Sequence, residues 1–136
     1  MVAFEQVAAA DVINYGIAQT PTPEAEAFVL TDLIEKPAVS EASSTLAVAA
    51  RYVFGPSIFE YLEQTKPGKG GEIQLTDAIR MMLGDGRKAY GMRLPPSERR
   101  FDIGNFDSYF RAFFEFALSD PRYGEALKAH VRTLVD

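Results

Sequence analysis

The chain has 136 residues, 47% hydrophobic and 24% charged, a balance that fits one soluble domain with enough apolar mass for a core. Its net charge of -5, from 19 acidic against 14 basic residues, excludes a nucleic-acid or anionic-membrane surface as the main business of the molecule, since Arg99-Arg100 is too small a basic cluster to grip phosphate backbones. There is no cysteine for a disulfide or thiolate metal site, no apolar run of bilayer length, and no signal-peptide pattern in Met-Val-Ala-Phe-Glu-Gln, so a cytoplasmic location is expected.

In chain order, Val2 to Val7 reads as a short strand, and Tyr15 to Gln19 as another after an Asp-Val-Ile-Asn turn. Thr20-Pro21-Thr22-Pro23 interrupts the pairing, and Ala27 to Lys36 is the next strand, stopped by Pro37, which has no N–H for a ladder. Thr45 to Phe54 carries small and branched apolar residues with few charges, which suits a strand buried on both faces. Pro56 is expected to open a helix that Lys66-Pro67-Gly68 ends, and a second helix is expected from about Leu75 to Leu83, stopped by Gly84-Asp85-Gly86. Lys88 to Leu94 returns as a strand, and a further short strand is expected near Arg100 to Ile103. Asn105 is a suitable N-cap for a long helix with Tyr109, Phe110, Phe113 and Phe114 on its apolar side, and Ser119-Asp120-Pro121 breaks it before a last helix. Strands alternating with helices give an α/β fold class, a mixed sheet flanked by helices. The early strands have no helices between them, which implies antiparallel pairing there.

Several residues could carry chemistry. Glu35-Lys36 ends a strand, where a carboxylate can accept sugar hydroxyls and an ammonium can neutralise a phosphate; the same pair also reads as a solvated ion pair. Glu72, Gln74, Thr76 and Asp77 crowd polar groups into the mouth of an apolar helix, either as caps and turn residues or as hydrogen-bond partners around a pocket. Asp102 stands at an expected strand-to-helix junction, a common place for ligand sites in α/β proteins, although an Asp there can also simply cap the helix. The aromatic run from Phe106 to Phe116 reads as core or subunit interface, and His130 has no evident partner and receives no role.

Four blocks, in this order, are similar to the bacterial UTP-glucose-1-phosphate uridylyltransferases: Ile-Glu-Lys-Pro at 34–37, Ala-Arg-Tyr-Val-Phe at 50–54, Gly-Gly-Glu-Ile-Gln-Leu-Thr-Asp-Ala-Ile at 70–79 and Phe-Asp-Ile-Gly-Asn at 101–105. The resemblance runs from about Glu5 to the end and concerns the C-terminal part of the family chain; the N-terminal part, with its Gly-rich nucleotide loop, is expected to be absent. It implies a nucleotidyltransferase Rossmann-like fold and the reaction of UTP with glucose 1-phosphate to give UDP-glucose and pyrophosphate. It also implies that Glu35 binds glucose, that Lys36 meets the sugar phosphate and is the catalytic cation, and that Gly16 brings bare backbone close to the sugar. Glu72 and Asp77 then belong to the sugar pocket, and Asp102 is one of two aspartates that hold Mg2+, the other lying in the N-terminal part. Gly16 also reads as a plain strand glycine.

The sequence departs from the family at Thr45, Ala50 and Gly71, where the family usually has Asn, Gly and Asp, and at Phe106, where it has Lys. Phe106 removes a cation where phosphates would lie. A single Asp should bind Mg2+ weakly or not at all in the isolated chain. The expected function is therefore a sugar-phosphate-binding part that takes UDP-glucose or glucose 1-phosphate and is inactive alone. The alternative is a non-catalytic binding or assembly module derived from the family. Exposed sheet edge and apolar surface point to a homo-oligomer, or to a chain supplying the N-terminal part.

Overall fold

A computed structural model of the chain describes residues 1–68, 71–98, 100–101 and 103–135. Its contacts group into two compact units, Met1–Arg99 and Arg100–Asp136.

The first unit is built on strands β1 (Val2–Gln6), β2 (Gly16–Gln19), β3 (Ala27–Leu30), β4 (Asp32–Glu35), β5 (Leu46–Tyr52) and β6 (Ala89–Arg93), with helices α1 (Ile58–Gln64) and α2 (Leu75–Gly84). The strands form one six-stranded sheet in the order β3-β6-β1-β5-β2-β4. β1 runs parallel to β6, and the other pairs are antiparallel. The expected mixed α/β architecture is thus present, and so is the antiparallel pairing of the early strands.

β3 and β4 occupy opposite ends of that strand order, yet only Thr31 separates them in the chain. The sheet must therefore curl until its two edges meet. This corrects the single strand expected from Ala27 to Lys36. Its first half pairs with β6 and its second half with β2, and Thr31 turns between them with its N–H donated to Gln19 O at 2.9 Å. Curling also explains the apolar content of both halves, because Phe28, Leu30 and Leu33 all enter one core with Phe4, Leu46 and Ile79. The bare backbone of Gly91, opposite Phe28 in the ladder, lets the Phe28 ring lie across β6; a Cβ there would stand 2.2 Å from ring carbons.

β5 is central, between β1 and β2, with Leu46, Ala47 and Ala49 buried as the small-residue pattern predicts. Its register against β1 slips between Val2–Tyr52 and Phe4–Val48, so three residues of β5 face Ala3 alone. Ala50, in that bulge, has a left-handed φ of 53°. The Asp-Val-Ile-Asn turn is a short 3-10 segment, Ala9–Asn14, which buries Val12 against Ile17 and Ala47 on the other side of the sheet. α1 begins two residues after Pro56, which lies in the preceding turn and accepts from Phe59 N.

The second unit holds α3 (Phe106–Ser119) and α4 (Gly124–Val135), which pack on each other. Asn105 caps α3 as expected, its side chain accepting from Ser108 N at 3.0 Å. No strand forms over the described residues Arg100, Phe101 and Ile103, in contrast to the expectation. The Phe101 ring instead lies 4.7 Å from that of Phe116, so a ring contact holds the segment where a ladder was expected. Only Ala112 of α3 is buried, while Phe106, Phe110, Phe113 and Phe116 are exposed and Tyr109 lies against the Phe110 and Phe113 rings.

Candidate functional site

The site is assembled where β2 begins, β4 ends and α2 begins. Gly16 and Glu35 are direct partners in the β2–β4 ladder, which fixes the Glu35 side chain beside the Gly16 backbone. The Glu35 carboxylate is 16% exposed, and its Oε2 accepts a 2.6 Å hydrogen bond from the Thr76 hydroxyl in the first turn of α2. A Cβ on Gly16 would come within 3.2 Å of Glu35 Oε2 and 3.3 Å of both Thr76 Oγ1 and Val48 Cγ2. A side chain at position 16 would have to share that space with the cluster, so the Glu35 and Thr76 side chains would have to give by a few tenths of an ångström.

Lys36 leaves the sheet at this point. Its backbone is left-handed, with φ 45°, and its N–H is donated to Tyr15 O at 2.9 Å while Pro37 follows, buried. A left-handed lysine costs about 1–2 kcal/mol relative to an unstrained backbone, so the fold holds it against a gradient. The reward is placement. Lys36 Nζ stands 4.0 Å from Glu35 Oε1, with nearly half of its side chain open to solvent. The Tyr52 hydroxyl on β5 shares the electrostatics of the cluster: burial, and secondarily the negative charge of Glu35, hold its pKa above the usual tyrosine value.

Gly16, Glu35 and Lys36 therefore come together, as sequence reasoning expects. Glu72 lies in the turn that leads into α2 and Asp77 in the first turn of α2. Asp77 Oδ2 occupies the space beside Gly68, 2.7 Å from where a Cβ would start, and the Glu72 carbonyl accepts from Gly68 N at 2.9 Å with its side chain exposed. Asp102 lies outside the described residues. Among the described residues no three His, Cys, Asp or Glu side chains converge as a metal site.

Thr76 is the contact that sequence reasoning leaves undecided, having weighed it as a helix cap. α2 has Gln74 at its N-cap and no side-chain cap bond, so the Thr76 hydroxyl is available for Glu35. Tyr52 is quoted in a motif but given no role. Its side chain and that of Val48 pack against the same core cluster across the β5 bulge, which no sequence period marks. Of the departing positions, Ala50 has the left-handed backbone noted above and Gly71 has φ 79°. Thr45 lines a cavity of about 320 Å³ together with Gln6, Val12, Glu24 and Ser44, and none of the expected site residues described here lines it.

A protein-family model for nucleotidyl transferase matches residues 1–118. The chain belongs to the nucleotidyl transferase family. It is 34% identical over 134 residues to the UTP-glucose-1-phosphate uridylyltransferase of Staphylococcus epidermidis, covering 98% of this chain and 46% of that one. It is 38% identical over 113 residues to the enzyme of the same name from Pseudomonas aeruginosa, covering 82% of this chain and 39% of that one. Among solved structures, a UTP-bound UGPase from Acinetobacter baumannii matches with a TM-score of 0.81 and 32% identity over 96% of this chain and 44% of that one. A UDP-glucose pyrophosphorylase complexed with UDP-glucose matches with a TM-score of 0.74 and 36% identity over 84% of this chain and 43% of that one. The chain thus spans about half the length, 46–47%, of the first curated relatives it matches. The curled mixed sheet flanked by helices is the nucleotidyl transferase fold of these neighbours, and among the described residues no helix is long and apolar enough to cross a membrane.

Proposed function

We propose that these residues form the sugar-phosphate-binding part of a uridylyltransferase, corresponding to the C-terminal part of its relatives, in which UTP and glucose 1-phosphate give UDP-glucose and pyrophosphate. The observation that carries this reading is the convergence of Glu35 and Thr76 on the bare backbone of Gly16, with Lys36 at the rim. Such an arrangement has an anionic acceptor for sugar hydroxyls and a half-exposed cation within reach of a phosphate. The names of the similar proteins, one solved with UDP-glucose and one with UTP, support the same substrates.

The chemistry asks for alignment and charge dispersal. A phosphate oxygen of glucose 1-phosphate attacks the α-phosphorus of UTP and pyrophosphate leaves, so no protein nucleophile is needed. Glu35 orients the sugar; Lys36 is the proposed catalytic cation, meeting the sugar phosphate and steadying charge that builds on the transferring group. Glu72, in the turn before α2, and Asp77, in its first turn, are proposed to close the sugar side of the pocket. Mg2+, when bound, would disperse phosphate charge; Asp102 is proposed as one ligand. The second aspartate of that site is proposed to come from the N-terminal part, with phosphate and water oxygens completing the coordination.

The 136 residues by themselves are proposed to bind and not to turn over, since they span less than half of the relatives that carry the activity by name. Exposed rings on α3 support self-association or docking of a chain supplying the N-terminal part. Calorimetric titration with UDP-glucose, with and without Mg2+, tests the reading. Heat that disappears in Lys36→Ala is the expected result, and no heat at millimolar ligand would refute a surviving pocket.

A further inference from the structure

The Glu35 carboxylate is held from outside its own strand. Its Oε2 takes the 2.6 Å bond from Thr76, which is only 7% exposed, while Oε1 is the oxygen nearer Lys36. A carboxylate that must meet a ring hydroxyl gains from having its rotamer fixed beforehand, because the ordering cost is then not charged against binding. Two features show how firmly Thr76 can do this. α2 packs on β4, and one turn beyond Thr76 the Arg80 Nε pairs with Asp32 Oδ1 at 3.1 Å, so helix and strand are tied in register. Asp32 Oδ1 also accepts from Leu33 N at 2.8 Å, which fixes the strand end of that tie.

We propose that Thr76 is a positioning residue for sugar recognition, holding Oε2 of Glu35 so that Oε1 is presented to a ligand hydroxyl beside Lys36. This rests on the sugar-phosphate reading of the same pocket and adds the residue that sets its geometry. Thr76 acts through Glu35, so its hydroxyl matters only while the carboxylate is there.

The test is a cycle of full-chain variants, Thr76→Val, Thr76→Ser, Glu35→Ala and Thr76→Val with Glu35→Ala, titrated calorimetrically with UDP-glucose. Thr76→Val should weaken binding about tenfold, the scale of one hydrogen bond to a charged group, and Thr76→Ser should restore it. In the Glu35→Ala background Thr76→Val should cost nothing further. Additive losses would overturn the proposal in favour of direct contact between Thr76 and the ligand, and equal losses in Thr76→Val and Thr76→Ser would overturn it in favour of a purely structural effect. Urea unfolding of the same chains needs no ligand. Non-additive midpoints are expected, and strictly additive ones would remove the Thr76–Glu35 bond from consideration whatever the titrations show. A wild-type chain that unfolds with the expected coupling yet binds no UDP-glucose would overturn the sugar-phosphate reading instead.

Discussion

At the scale of single residues, Tyr52 offers a view of the site that requires no ligand. Its raised pKa comes first from burial and second from the Glu35 charge, so its phenol should ionise above the ordinary value of 10.0. Glu35→Gln should bring that midpoint partway down, since burial persists. Spectrophotometric titration of phenolate absorbance, with Tyr52→Phe to identify the signal among six tyrosines, measures this. The linkage has a definite sign. A group whose folded pKa lies above its unfolded one stabilises the fold fully below the unfolded pKa, and that contribution is lost as pH rises through the folded pKa. Tyr52→Phe should therefore flatten the loss of stability above about pH 10, read by urea midpoints across alkaline pH. Ala50 makes a second residue-scale case. A left-handed alanine carries roughly 1–2 kcal/mol of strain, partly offset by the backbone entropy a glycine would lose, so Ala50→Gly should stabilise the chain by roughly 0.5–1 kcal/mol in denaturant unfolding.

At the scale of elements, the curl of the sheet rests on β3 reaching β6 while β4 reaches β2. In that arrangement the Phe28 ring lies over the bare backbone of Gly91. Gly91→Ala forces ring carbons to move from 2.2 Å, and overpacking of this kind typically costs about 1–3 kcal/mol. The expected outcome is a lowered unfolding midpoint, with UDP-glucose affinity unchanged, because the Glu35 cluster sits on β2, β4 and α2 and not on β6. Most elements were legible in the sequence because period and punctuation agree: Pro37 shortly after β4, Asn105 before α3 and Gly84-Asp85-Gly86 at the close of α2 each sit at an element end. The break at Thr31 was not legible, since Ala27 to Glu35 has no Gly or Pro and the change of partner is a tertiary event. The strand expected near Arg100 failed for a similar reason, as an extended apolar segment can be held by a ring contact as well as by a ladder.

At the scale of the molecule, the chain belongs to the nucleotidyl transferase family and spans about half the length of the curated relatives it matches. α3 exposes Phe106, at 81%, together with Phe110, Phe113 and Phe116, rings of the kind that association covers. Light scattering of the 136-residue chain should report a dimer or larger species, and a monodisperse monomer would count against self-association. Incubated with UTP, glucose 1-phosphate and Mg2+, the same chain should release no pyrophosphate in a coupled assay.

The sequence by itself determined the family, the mixed α/β class and the meeting of Glu35 and Lys36, because those follow from local pattern and from neighbours in the chain. Only the tertiary structure decided that Thr76, forty-one positions from Glu35, would donate to its carboxylate, that Gly16 would lie beneath both, and that one apolar stretch would serve two sheet edges. The physical reason is the same in each case. A hydrogen bond across such a separation depends on which helix face meets which strand end, and that is set by core burial and sheet curl, neither of which leaves a mark at the residues concerned.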